Sequence, residues 1–190
     1  MSVPDTATVL ARAFHNDAMF TYIEPDEQRR AKVLPWFFGA AARLGAKYGR
    51  IDVDPGRAAA IWLPPGKTDL GPRALVGSGF AAAPLRLGIG GFRRFGSITS
   101  AFDAAKVTVI APPFWHLFIL GVEPSEQGCG HGGRVIAPVL AQADRDGHRC
   151  YLETTEESNL AFYRRRGFEV SSDHAPAGLP AFWTMTRQPG

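Results

Sequence analysis

The apolar positions of this chain fall into two rhythms, one early and one late, with a poorly patterned stretch between them. Thr6 to Phe14 places Val9, Leu10, Ala13 and Phe14 on one face at helical spacing. A second helix is expected from Asp26, a capping residue, to about Lys47, with Val33, Phe37, Ala41 and Leu44 as its stripe. Pro35 predicts a kink in it, and Gly49 ends it. Tyr48 to Val53 and Ala58 to Leu63 then read as two strands around the turn Asp54-Pro55-Gly56.

From Pro64 to Pro113 glycine and proline interrupt the pattern, and only Arg73 to Ala83 and Gly91 to Ala105 keep a weak helical character. A stretch of this kind suits a substrate-shaping segment. Beyond it the rhythm sharpens. Trp115 to Val122 reads as a strand, Gly132 to Gly147 as a helix and Cys150 to Thr154 as a strand. Asn159 to Arg166 is a helix stopped by Gly167, and Phe168 to Ser171 and Phe182 to Arg187 are the closing strands. The expected class is a mixed α/β or α+β layered fold around one sheet, in a single domain.

Composition narrows the setting more than the fold. The chain has 190 residues, 45% of them hydrophobic and 21% charged, enough to bury a core without metal or disulfide. Cys129 and Cys150 are the only cysteines and form no metal-binding spacing, so no metal is expected and a reduced, cytoplasmic setting is. The first residues, Met1 to Asp5, lack the basic and apolar regions of a signal peptide. The longest apolar run, Val107 to Val122, is broken by Pro112, Pro113 and His116 and is too short to span a bilayer. A formal charge of +3 suits a polyanionic small molecule better than nucleic acid, which needs a clustered basic face. Neither nucleic acid nor membrane is therefore expected as a partner.

The chemistry concentrates in Gln127-Gly128-Cys129-Gly130-His131-Gly132-Gly133, between a predicted strand and a predicted helix. Glycines there let backbone N–H groups and the helix dipole converge on phosphate oxygens. Two readings compete. Gly128, Gly130 and Gly133 satisfy a dinucleotide fingerprint, with Glu153 placed 20 residues on as the ribose-binding acid of a nicotinamide-dependent oxidoreductase. Against it, five residues (Glu123 to Gln127) separate the strand from the first glycine, and only 57 residues follow Gly133.

The other reading rests on two motifs. Val122-Glu123-Pro124-Ser125-Glu126-Gln127-Gly128-Cys129-Gly130-His131-Gly132 resembles the V-x-P-x-x-Q/R-G-x-G-x-G/A loop of the GNAT superfamily of acetyltransferases. Asn159-Leu160-Ala161-Phe162-Tyr163-Arg164-Arg165-Arg166-Gly167-Phe168 resembles its N-x-x-x-Y-x-x-x-G-F element. The likeness covers Trp115 to about Arg187, is looser over the first 63 residues, and is strongest toward puromycin-type N-acetyltransferases. It implies a mixed, mostly antiparallel sheet flanked by helices, with the family's first strand short, missing or replaced. It implies an acceptor-shaping half over residues 1–113 and an acetyl-CoA-binding half over residues 114–190.

Residue roles follow from the same resemblance. The backbone of Gly128, Cys129, Gly130, His131, Gly132 and Gly133 would hold the coenzyme A pyrophosphate, with Gln127 and Arg134 beside it and the strand ending at Val122 along the pantetheine arm. Asn159 and Tyr163 would lie near the sulfur, Tyr163 as the acid that protonates the leaving thiolate. His116 is the leading candidate for the base that deprotonates the amine, with Glu153 and Glu123 as fallbacks. Arg164 to Arg166 read as a solvated face, and Cys129 lacks a triad partner, so direct transfer is expected. Phe14, Asp17, Met19, Phe20 and Tyr22 would form one acceptor wall, Asp17 pairing with a cationic amine. The expected reaction is acetylation of a primary amine on a small molecule, plausibly an antibiotic or other xenobiotic. A non-catalytic acyl-CoA-binding module is the alternative within the same fold, and a homodimer is left open.

Overall fold

The computed structural model describes residues 3–190, with side chains from Asp5 onward. Three helices come first: α1 (Val3–Ala13), α2 (Ala18–Ile23) and α3 (Glu27–Tyr48). Asp17 and Asp26 cap α2 and α3, each side chain accepting a backbone N–H from the first turn. α3 runs through Pro35 as one helix of 22 residues. The hairpin β1 (Arg50–Asp54) and β2 (Ala58–Leu63) follows where its turn residues placed it.

The unpatterned stretch is helical in fact. It forms α4 (Pro72–Ser78), a single 3-10 turn over Phe80–Ala82, and the long α5 (Ala83–Val109). Gly88 breaks α5 with φ 67° and ψ 171°, a conformation outside the helical region that a side chain would resist. The remainder is β3 (Phe114–Val122), α6 (His131–Asp146), β4 (Arg149–Thr154), α7 (Leu160–Arg164), β5 (Glu169–His174) and β6 (Phe182–Arg187).

All six strands join one sheet in the order β1-β2-β3-β4-β6-β5. Its pairs are antiparallel except β3 with β4, which α6 connects as a crossover. The described residues begin with α1 at Val3, and their first strand is β1. A sheet with one parallel pair is not the doubly wound parallel sheet that a dinucleotide fingerprint opens. The GNAT-type mixed sheet flanked by helices is the architecture present.

β2 shows why the sheet is central. Ala59, Ile61 and Leu63 pack under α1, α2, α3 and α5, while Ala58, Ala60 and Trp62 pack under α6 and α7. None of the six is more than 1% exposed, which explains a near-continuous apolar run instead of an alternating one. Burying side chains such as Ile61 and Leu63 contributes about 1.5–3 kcal/mol each. α6 presents Val135, Ile136, Val139, Leu140 and Ala143 to the opposite face, the three-and-four spacing of an amphipathic helix.

Two departures from a regular ladder open the sheet. The β2–β3 register slips between Ile61, opposite Ile119, and Trp62, opposite Leu117, leaving Phe118 without a partner. Phe118 and Ile119 consequently pack on the same side of the sheet. Close to that bulge β3 leaves β4: the parallel ladder spans only Phe114–His116 against Arg149–Tyr151.

Candidate active site

The edges of β3 and β4 that face each other beyond His116 make no ladder to one another, although β3 continues to Val122 and β4 to Thr154. A slot with free backbone N–H and C=O groups results, and it points toward the glycine loop. Gly128 and Gly130 hold φ of 79° and 83°, backbone that glycine adopts without strain. A methyl group placed on Gly128 would meet nothing within 4 Å, so the loop surface there is open. Gly132 serves packing, since a Cβ would stand 3.2 Å from Val122 and 3.3 Å from Phe162. Gly133 sits against the Arg166 guanidinium, which stacks 3.6 Å over the Phe162 ring and donates to the Phe162 carbonyl at 2.6 Å.

The loop side chains divide. Gln127 donates weakly to the Val122 carbonyl at 3.4 Å, and Cys129 is exposed. Arg134 is exposed and reaches the Cys129 carbonyl at 3.4 Å and Asp54 at 3.5 Å. His131, expected to contribute its backbone, turns its side chain inward. Its ring is buried, with Nδ1 2.6 Å from Asp54 and Nε2 3.1 Å from Glu126. The first residue of an amphipathic helix has turned inward onto β1, which leaves only its backbone N–H for a ligand. The His131 contact is the chief cause holding the Asp54 carboxyl below the usual carboxylate range.

On the other side of the slot lies a cavity of about 860 Å³. Its floor carries His116 from β3, Glu153 and Thr154 from β4, and Asn159 and Tyr163 at α7. His116 and Tyr151 are register partners across the parallel ladder, so their side chains share a face, and Glu153 lies two residues further along on the same face. His116 Nε2 stands 2.7 Å from Glu153 Oε2, and the two side chains are only 7% and 10% exposed. His116 Nδ1 is buried without a partner, as is the Tyr151 hydroxyl. Burial first, then the Glu153 charge, pushes the Tyr151 phenol up. Tyr163 is also pushed up, by burial above all, with Arg166 opposing and Asp17 adding. A phenol in that state keeps its proton.

The far wall comes from the first half of the chain. Phe14, Asp17, Met19 and Phe20 line the cavity, as expected. Tyr22 does not; it packs, partly buried, against the core. At 100° per residue in α2, Tyr22 lies some 200° around from Phe20, so both cannot face the cavity. Asp17 accepts from the Met19 N–H at 2.9 Å and lies 3.3 Å from the Thr155 hydroxyl. Its neighbour Ala18 donates its N–H to Glu156 at 2.9 Å, tying the α1–α2 loop to the segment after β4. Burial, followed by the nearby Glu156 charge, raises the Asp17 carboxyl to about 6, against the pull of the Met19 and Phe20 amides and the Thr155 hydroxyl.

Glu123, a fallback base, lies outside the cavity, 3.5 Å from Arg12. Arg164 and Arg165 are exposed, as a solvated face requires, whereas Arg166 folds back on Phe162. Thr155, Lys106 and the roof phenylalanines Phe80, Phe92, Phe95 and Phe102 also line the cavity, and Glu156 stands behind Asp17; none of them was assigned a role from the sequence.

Residues 87–168 match the acetyltransferase (GNAT) family, a span that contains β3, the glycine loop and the motif ending at Phe168. An uncharacterized N-acetyltransferase of Schizosaccharomyces pombe is 25% identical over 169 residues, covering 85% of this chain and 68% of the relative. Among solved structures, one described as histone acetyltransferase HPA2 and related acetyltransferase, from Corynebacterium glutamicum, superposes with a TM-score of 0.63 at 21% identity, covering 99% of this chain and 91% of that one. Arylalkylamine N-acetyltransferase 2 of Aedes aegypti gives 0.61 at 12% identity, covering 99% and 94%. A Drosophila melanogaster polyamine N-acetyltransferase gives 0.53 at 17%, covering 99% and 97%. Residues 87–168 thus carry a likeness to the GNAT acetyltransferases, both motifs lie within that span, and the fold is of the GNAT type.

Proposed function

We propose that this protein transfers the acetyl group of acetyl-CoA directly to a primary amine of a small molecule. One observation carries the proposal: the His116–Glu153 pair and Tyr163 line a single cavity at the place where β3 and β4 separate. The residues fit the donor. The open surface at Gly128 and the positive φ of Gly128 and Gly130 make a cradle for a pyrophosphate at the start of α6, with Arg134 exposed beside it. The free edges of β3 and β4 suit the amide groups of a pantetheine arm. Acetyl-CoA supplies an activated acetyl group as a thioester.

The chain's own residues do the rest. The His116–Glu153 pair takes a proton from the ammonium of the acceptor. Since His116 Nδ1 is closed off, the proton is handled at the shared Nε2–Oε2 edge. Asp17 draws the cationic amine into the cavity, and Tyr163 delivers a proton to the departing sulfur. A backbone N–H on the free edge of β3 polarises the carbonyl; loss of one such donor typically costs ~10²-fold in rate. No cysteine lines the cavity, which favours direct transfer over an acyl-enzyme. Two of the superposed proteins are named for small amines, arylalkylamines and a polyamine, which supports a small amine here.

The test is an amine panel with acetyl-CoA, following free thiol and acetylated amine together. Equal yields of both, with an unmodified protein mass after rapid quenching, are expected. A stabilising shift with acetyl-CoA but no thiol from any amine would assign the chain a binding role instead.

A further inference from the structure

Six large apolar side chains are conspicuously exposed among the described residues: Leu75 (40%), Val76 (63%), Leu85 (85%), Ile89 (82%), Phe92 (42%) and Val107 (75%). All six belong to α4 and α5. Leu75, Val76, Phe92 and Val107 also line the cavity. The patch is therefore the cavity's own lip, continuous with its interior. Leu85 and Ile89 extend apolar surface on the same helix. Behind the lip runs an aromatic wall in which Phe37 meets Phe20, Phe80 and Phe95 at ring separations of 5.0, 5.2 and 5.6 Å.

The charges sit at the two ends of this wall. Asp17 and Glu153 are inside, by the slot. At the rim are Asp69 and Asp103, and Lys106 engages Asp103 at 2.8 Å and Asp69 at 4.0 Å. Away from the slot and the rim the lining is mostly apolar, with Thr68 and Thr99 among it. A short polar amine would reach the inner carboxylates but leave the lip bare. A diamine of middle length would strand its second ammonium among phenylalanines.

Resting on the acetyl-transfer reading, we infer that the acceptor is an amphiphilic monoamine. Its ammonium lies toward Asp17 and Glu153, and its alkyl or arylalkyl tail follows the phenylalanine wall and passes out over the α4–α5 lip. The continuity of the lip with the cavity favours a substrate tail over a partner surface, because the same side chains serve both. The roof segment then has a purpose that its broken pattern conceals, since α5 bends at Gly88 between Leu85 and Ile89.

The experiment is calorimetric titration of the full chain, in the presence of CoA, with primary n-alkylamines from butyl to dodecyl below their micelle concentrations. The dissociation constant should fall by up to about fourfold for each methylene added. The double substitution Val76→Ser with Val107→Ser, at exposed positions, should flatten the long end of that series. A constant affinity from butyl to dodecyl overturns the inference, as does a diamine that binds as tightly as the monoamine of equal length. Sedimentation with phosphatidylcholine vesicles that the double substitution abolishes, without any chain-length effect, overturns it in favour of a membrane contact. Thiol release is followed in parallel and keeps the two readings apart. Graded binding with no thiol from any amine keeps the cavity as an amphiphilic-amine site but removes the acetyl-transfer reading, and with it the amine's role as acceptor. Thiol release with flat binding does the reverse.

Discussion

Replacing Asp17 by Asn should make the protein more stable and a poorer enzyme, and the stability gain should depend on pH. The folded state raises this carboxyl from 3.8 to about 6, chiefly by burial and by the charge of Glu156. The folded chain therefore holds the Asp17 proton more tightly than the unfolded chain does. Stability is full below 3.8, declines as pH rises through about 6, and stays lost above it. The gap corresponds to about 3 kcal/mol at pH 8 and roughly half that at pH 5. Asn keeps an oxygen to accept the Met19 N–H, so the cap on α2 survives and the charge alone is removed. At roughly 2–4 °C per kcal/mol for a domain of this size, Asp17→Asn should melt about 6–12 °C higher than the parent at pH 8, with the gap shrinking toward pH 4. Paired melting curves across pH 4–8 measure it directly. Curves that stay parallel over the whole range would refute a buried, proton-hungry carboxyl at this position. In turnover the same variant should raise KM for a cationic amine more than it changes affinity for acetyl-CoA.

Three further outcomes are expected. Tyr163→Phe should lower kcat sharply while leaving acetyl-CoA affinity nearly intact; unaltered turnover would remove its role as acid. His116→Ala and Glu153→Gln should each abolish or displace the acidic limb of the pH–rate profile, because the two share one proton-handling contact 2.7 Å long. If both limbs stay where they were, another group is the base. Gly130→Ala forces a side chain into φ 83° and should cost about 1–2 kcal/mol along with a marked loss of acetyl-CoA affinity, read by thermal shift with and without the ligand.

Local chemistry made much of the chain outside residues 64–113 legible without a structure. Capping by Asp26, the turn at Asp54-Pro55-Gly56, the stripe of α6 and the stop at Gly167 depend on neighbours within a few residues, so the sequence carries them openly. The glycine loop and the motif at Asn159–Phe168 are equally local, and they announced the GNAT fold and the places of Tyr163, Asn159 and Glu153. The mixed sheet excluded the dinucleotide fold that the glycines alone allowed, because strand direction is set by partners far apart in the chain.

Only the tertiary structure decided how the halves meet. His131 turned inward because Asp54, 77 residues away, waits on β1. Tyr22 left the acceptor wall because α2 offers only one narrow face to the cavity. Asp17 acquired its raised pKa from burial in the folded chain and then from the charge of Glu156, which no spacing in the sequence connects to it. The bulge at Phe118 and the short β3–β4 ladder depend on pairings between strands far apart in the chain. The α4–α5 roof escaped pattern reading for the same physical reason. Its residues answer to a long cavity with an apolar lip, so they follow the shape of a site and not the period of a helix buried along one face.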